Sequence, residues 1–176
     1  MTAPDHEQRI RRLVHADMES VVRIWEAAIV RAESTFGPKP PTVEEAGAML
    51  LEVPARFESY VYETADGIVG WGGLLRYHER EAYGATAELT AFVAPDHRRR
   101  GIGRALSSYA LARARDLGFH TIVVILQPEP AYVLAVAARL GFRCTGRLTS
   151  VLAAGGEWRD IFVFQRAMTP PERTGQ

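Results

Sequence analysis

The sequence predicts a mixed α/β domain built around one sheet. Three observations carry that expectation. Short runs of apolar, β-branched and aromatic residues are interleaved with longer stretches whose apolar residues recur every three or four positions. Their order along the chain is a strand, two helices, three antiparallel strands, a helix, a strand, a helix and two strands, the interleaving expected when helices cover a sheet. A length of 176 residues with 47% hydrophobic content matches one ordinary domain with a substantial core.

Residues 9 to 14 alternate weakly and read as the first strand, after which Asp17 is placed to cap a helix over 18 to 32. Val21, Ile24, Trp25, Ala28 and Ile29 give that helix an apolar stripe. Gly37-Pro38-Lys39-Pro40-Pro41 breaks it, and Thr42-Val43-Glu44-Glu45 is a capping box that opens a second, short helix to about residue 51. Residues 59 to 64 and 68 to 77 are apolar and aromatic runs joined across Ala65-Asp66-Gly67, whose Asp-Gly pair signals a hairpin. A strand over 86 to 94 ends at Pro95-Asp96-His97. The next helix, from about 102 to 117, carries Leu106, Tyr109, Ala110 and Leu111 and stops at Gly118. Thr121 to Leu126 is nearly all apolar, as expected of a strand buried on both faces. A helix over 131 to 140 ends at Gly141, and residues 145 to 152 and 158 to 165 form a last hairpin across Ala154-Gly155-Gly156. The tail from Pro170 is expected to be loose.

The stretch richest in chemistry is Arg98-Arg99-Arg100-Gly101-Ile102-Gly103-Arg104-Ala105, which joins an apolar strand to a long helix. At a helix start several backbone N–H groups lack intrahelical partners and carry partial positive charge, so an anion fits there. Glycines let the backbone turn tightly and approach a ligand, and arginines add charge-assisted hydrogen bonds to phosphate oxygens. Two nucleotide loops are excluded by spacing. No Gly-x-x-x-x-Gly-Lys-Ser/Thr run exists, and Gly-x-Gly-x-x-Gly fails because Leu106 stands where the third glycine would be.

Composition narrows the partners. Twenty-one basic and 21 acidic side chains give a formal net charge of zero, so the arginine cluster is local and neither nucleic acid nor a membrane surface is expected as a partner. Cys144 is the only cysteine, and the five histidines show no metal spacing, so no disulfide framework and no metal are expected. His97 reads as a solvated turn residue. The first residues have no apolar signal core and no apolar run approaches the roughly 20 residues that span a bilayer, so a cytoplasmic location is expected.

In combination these residues resemble the GCN5-related N-acetyltransferase (GNAT) superfamily. The resemblance rests on Arg98-x-x-Gly101-x-Gly103, the strand before it, and Leu140-Gly141-Phe142 after a short helix. It is closer to the branch of phosphinothricin and methionine sulfone acetyltransferases, through Glu33-Ser34-Thr35-Phe36, Ala82-Tyr83, Glu88-Leu89-Thr90-Ala91-Phe92-Val93-Ala94-Pro95 and Gly156-Glu157-Trp158-Arg159-Asp160. It implies a single GNAT domain over 9–168, between a flexible N-terminus (1–8) and a loose tail (169–176). The fold it implies is a mostly antiparallel sheet of about seven strands with one splayed pair, flanked by about four helices.

The resemblance further implies acetyl-CoA as co-substrate. Arg98, Arg99, Arg100, Gly101, Ile102, Gly103, Arg104 and Ala105 would hold the pyrophosphate; Ala91, Phe92 and Val93, on a bulged strand, would meet the pantetheine arm and the thioester. Relatives carry Asn, Ser and His-Glu where this chain has Pro130, Val133, Ala137 and Ala138, so Gln127 is the substitute amide for the cofactor site, and the position of the usual tyrosine acid is filled by Ala137.

Acetyl transfer to an amine requires loss of the ammonium proton, and a partly buried carboxylate is a suitable base. Glu88, among Leu89, Phe92 and Val93, occupies the position of the branch's general base. The Val93 N–H is the candidate for polarising the carbonyl oxygen. Ser34, Thr35, Phe36, Tyr83 and Trp158 are the expected contacts of a small amine substrate, with Arg76 or Arg80 for a carboxylate. A homodimer built by the first helix and the closing hairpin is expected from the same resemblance. Three functions remain open at this stage: an amino acid or analogue N-acetyltransferase, a cofactor-binding sensor or inactive interaction module, and an acetyltransferase for protein N-termini.

Overall fold

A computed structural model of the chain describes residues 6–31, 33, 36–128 and 131–168. Its strands are β1 (Ile10–Arg12), β2 (Ser59–Thr64), β3 (Gly67–Arg76), β4 (Thr86–Val93), β5 (Thr121–Leu126), β6 (Arg143–Ala154) and β7 (Glu157–Ala167). The helices are α1 (Met18–Val30), α2 (Val43–Leu50), α3 (Ile102–Asp116) and α4 (Ala131–Arg139). The seven strands form one sheet in the order β1-β2-β3-β4-β5-β7-β6, antiparallel throughout except for the parallel pair β4 and β5. This is the mixed, mostly antiparallel α/β architecture expected from the sequence, with the same elements in the same order. Among the described residues no helix is long and apolar enough to cross a membrane.

Helices cover both faces of the sheet, which is why Val69 to Leu75 of β3 are buried without interruption. Alternation sends Val61, Trp71 and Leu75 towards α1 and α2, where Met18, Val21, Trp25 and Leu50 complete one core. It sends Tyr60, Leu74 and Leu89 to the other face, against Leu106, Ala110 and Phe119. The buried residues of α1, Met18, Val21, Ile24, Trp25 and Ala28, recur at the helical period.

Local chemistry explains most boundaries. The Thr42 hydroxyl accepts the Glu45 N–H at 3.2 Å and the Glu45 carboxylate accepts the Thr42 N–H at 2.8 Å, the reciprocal cap that starts α2. Gly155 and Gly156 both have positive φ, as a two-residue I′ turn between β6 and β7 requires. Asp17 does not cap α1 with its side chain. Its carboxylate is taken by two hydrogen bonds from Arg11, at 2.7 and 2.9 Å, and by the Val14 N–H at 2.9 Å. The first strand is shorter than expected, ending at Arg12, because residues 15 to 17 close a 3-10 turn. Of the N-terminal residues expected to be flexible, His6 is tied to the Tyr62 hydroxyl at 2.6 Å and Glu7–Arg9 form another 3-10 turn. The expectation for residues 1–5 and for 169–176 falls outside the described residues.

Glu58, 5% exposed, anchors the β2 end of the sheet to its surroundings. Its carboxylate receives two hydrogen bonds from Arg113, each 3.1 Å, and is also held by the Tyr60 hydroxyl and by Arg12. Burial works against its ionisation, but these donors and the two guanidinium charges outweigh burial and hold the carboxyl below its usual range.

Candidate active site

The site begins where β4 and β5 part. Their parallel ladder holds only Thr86↔Thr121, Ala87↔Ile122 and Glu88↔Val123; beyond it β5 continues to pair with β7 as far as Leu126, while β4 continues beside β3. The β3–β4 register runs evenly from Arg76↔Ala87 to Gly70↔Val93, so the bulge implied for β4 is absent and divergence of the strands opens the sheet instead. The Ala94 N–H donates to Val69 O at 2.9 Å, which fixes the phase of the ladder. By alternation the main-chain groups of Phe92 and Thr90 turn to β3, and those of Ala91 and Val93 turn into the gap.

Past β4, Pro95–His97 make a 3-10 turn, Arg99 takes φ 60° and Gly101 takes φ 84°. The left-handed conformation at Gly101 suits a residue without a Cβ, and no side chain caps α3 there. The first helical bond is Ala105 N–H to Gly101 O, leaving the N–H groups of Ile102, Gly103 and Arg104 outside the intrahelical ladder. These residues border a cavity of about 260 Å³ whose remaining wall includes Ala91, Val93 and Gln127.

The arginines of the turn have different duties. Arg98 makes a bidentate pair with Glu33, at 2.9 and 2.7 Å, and donates to Val93 O at 3.1 Å. It therefore clamps the turn to the end of β4 and to the chain after α1. Arg99 and Arg104 are exposed and border the cavity. Arg100 donates to Asp96 O at 3.0 Å and, like Ala105, stands outside the cavity lining.

Glu88 faces the other side of the sheet, on the same face as Thr90 and Phe92, and borders a second cavity of about 440 Å³. It is partly buried, and loss of solvation pushes its carboxyl up to about 7. Phe36 borders the same cavity and packs on Trp25 and Phe92, with ring centroids 5.0 and 6.1 Å away. The structure thus sets an open helix N-terminus and a carboxylate of raised pKa on two cavities, on opposite faces of the sheet.

The remaining expected contacts divide. Ser34, Thr35 and Pro130 lie outside the described residues. Tyr83 sits on a 3-10 turn, stacked on His78 at 4.8 Å, and Trp158 is 70% exposed on the closing hairpin; neither borders either cavity. Val133 borders the anion-side cavity, whereas Ala137 is buried in the core. His97 is not solvated as expected: its side chain is 19% exposed, its Nε2 lies 3.4 Å from Asp66 and it borders the same cavity. Sequence reasoning missed that contact, Glu33 as the partner of Arg98, Tyr132 on the anion-side cavity, and the whole α2 wall of the Glu88 cavity. Tyr132 and Glu33 could be read only once the helix and the loop were placed in space. Among the described residues no group of metal-ligating side chains converges.

The fold and site define an acyltransferase, and the chain belongs to the GNAT family of acetyltransferases, whose pattern matches residues 21–142. Among curated proteins it is similar to phosphinothricin N-acetyltransferase of Streptomyces viridochromogenes, 29% identical over 92% of this chain and 88% of that one. It is also similar to the L-amino acid N-acyltransferase MnaT of Escherichia coli, 24% identical over 94% and 99%. Among solved structures, a phosphinothricin acetyltransferase from Sinorhizobium meliloti in complex with AcCoA superposes with a TM-score of 0.85, covering 94% of this chain and 93% of that chain at 24% identity.

Proposed function

We propose that residues 9–168 form a cytoplasmic N-acetyltransferase that moves the acetyl group of acetyl-CoA directly to the primary amine of a small molecule. The acceptor class is an amino acid or analogue, such as phosphinothricin or methionine sulfoximine or sulfone, in keeping with the names of the relatives. The observation that carries the reading is Glu88, a carboxylate of raised pKa bordering a cavity on one face while the open N-terminus of α3 borders a cavity on the other.

The residues present fit acetyl-CoA. The N–H groups of Ile102, Gly103 and Arg104, with Arg99 and Arg104 beside them, would receive the pyrophosphate, and Arg98 holds the turn in shape. Ala91 offers main-chain partners to the pantetheine arm, and buried Gln127, whose Oε1 accepts from Arg159 at 3.4 Å, borders the same space. The Val93 N–H would stabilise charge growing on the acyl oxygen, and Glu88 would accept the proton that the amine nitrogen loses as it bonds to the acyl carbon; the C–S bond then breaks and the coenzyme A thiolate leaves, taking its proton from water. Positioning supplies the remainder, since two reactants held in line gain many powers of ten over free encounter. The cavity beside Glu88 is walled by α2 and sized for a small molecule rather than a polypeptide.

The test is calorimetric titration with acetyl-CoA followed by thiol release in the presence of an amino acid panel. Heat of binding with amine-dependent thiol release supports the enzyme; absence of binding defeats it. A cofactor-binding sensor is the second reading, favoured by apolar Ala137 and Val133 on α4, and it is marked by tight binding with no turnover of any amine. We also propose a homodimer through the closing hairpin, where Leu148, Val151 and Trp158 are 49%, 47% and 70% exposed. Sedimentation of the wild type and of Trp158→Ser decides it, a monomeric wild type being the contrary result.

A further inference from the structure

The cavity beside Glu88 has a charge pattern of its own. Among the described residues that border it, the ionisable side chains are Glu52, Glu79, Glu88 and Arg76. The arginine is already committed, since its guanidinium pairs with Glu79 at 2.7 Å and lies 5.8 Å over the Phe57 ring. Arg76 and Glu79 offset each other, which leaves Glu52 and Glu88 as the carboxyls of the described lining with no cation of that lining beside them. The rest of the lining is mainly apolar and includes Met49 of α2, Val53 in the segment after it and Leu75 of β3.

An amine substrate approaches such a space as a cation and benefits from the acidic rim. A second acid group on its side chain does not. That anion would meet Glu52 with no free cation of the described lining to offset it, and a like charge near a protein surface changes binding on the order of tenfold. Resting on the acetyltransfer reading above, we propose that the preferred acceptor is a primary amine with an uncharged, largely apolar side chain, and that Glu52, together with Glu79 as the group that occupies Arg76, excludes acceptors carrying an acidic side chain. Phosphinothricin, with its phosphinate, then falls among the poor substrates. A flexible apolar wall at Met49 suits side chains of varied shape.

The test uses two acceptors that differ by one charge, L-glutamate and its γ-methyl ester, with phosphinothricin as a third, in a thiol-release assay on the full chain. The ester is expected to exceed both acidic amines in kcat/KM by on the order of tenfold or more at low salt. That ratio narrows in 0.5 M salt, where screening is strong, and narrows again in Glu52→Gln. Glu79→Gln narrows it further, because it also releases Arg76. Equal or better use of glutamate or phosphinothricin by the wild type overturns the inference while leaving acetyl transfer standing. A ratio unmoved by either variant overturns the assignment to Glu52 and to the Arg76–Glu79 pair. Turnover of no amine, with acetyl-CoA bound, overturns the acetyltransfer reading itself and this inference with it.

Discussion

Replacing Glu88 by glutamine separates the cost of burying this carboxyl from its use. A carboxyl whose folded-state pKa is about 7, against 4.5 in the unfolded chain, binds its proton more tightly when folded. The folded state then holds more protons than the unfolded one, so the contribution to stability is fully present below about pH 4.5 and is lost as pH rises through 7. At 1.36 kcal/mol per pKa unit the full loss is about 3 kcal/mol, and the part falling between pH 5.5 and 8.5 is about 2 kcal/mol. Glutamine keeps the shape and removes the titration. Wild type is therefore expected to lose about 2 kcal/mol more than Glu88→Gln between those two pH values, equivalent to about 4–8 °C in Tm for a domain of this size. The carboxyls held low, at Asp17, Glu58 and Asp160, titrate below this window and do not contribute to the difference. Urea unfolding of both proteins at both pH values measures it. On the catalytic side, kcat/KM of the wild type should rise with pH through about 7, and Glu88→Gln should lose the activity while keeping its affinity for acetyl-CoA. Parallel stability curves for the two proteins refute the burial argument, and a fully active variant refutes the base.

Two further substitutions probe the scaffold. Arg98→Ala leaves the partly buried Glu33 without its bidentate partner and should cost about 1–3 kcal/mol, along with acetyl-CoA affinity, whereas exposed Arg100→Ala should be nearly silent in stability; thermal melts and calorimetry on the two variants compare them. Gly73→Ala would set a Cβ 2.7 Å from the Ser59 hydroxyl and 2.9 Å from Glu58 O in the middle of the sheet, and should destabilise by about 1–3 kcal/mol in urea unfolding.

The sequence displays what is local. The arginine-glycine turn is a contiguous strand end, turn and helix start, so its glycines, its arginines and its place in the fold can be read from eight residues in a row. The element order is equally legible, because periodicity and turn residues act over short range. Interactions between distant residues set the rest. Asp17 looks like a cap until Arg11 claims it, and Arg98 looks like a phosphate ligand until Glu33 claims most of its guanidinium. β6 and β7 extend beyond their apolar centres because each supplies the other's hydrogen bonds. The Glu88 cavity is assembled from α2, β3, β4 and the segment before β2, whose proximity no spacing announces. Tyr83 and Trp158 are plausible walls by residue type, yet neither is among the residues that border it.

The parting of β4 from β5 has a consequence for traffic through the molecule. A continuous sheet is a partition, and reactants on its two sides never meet. Here the partition ends early. Under the proposed acetyl transfer, that lets a bulky carrier and a small acceptor come from opposite sides, so that neither has to retreat before the other enters.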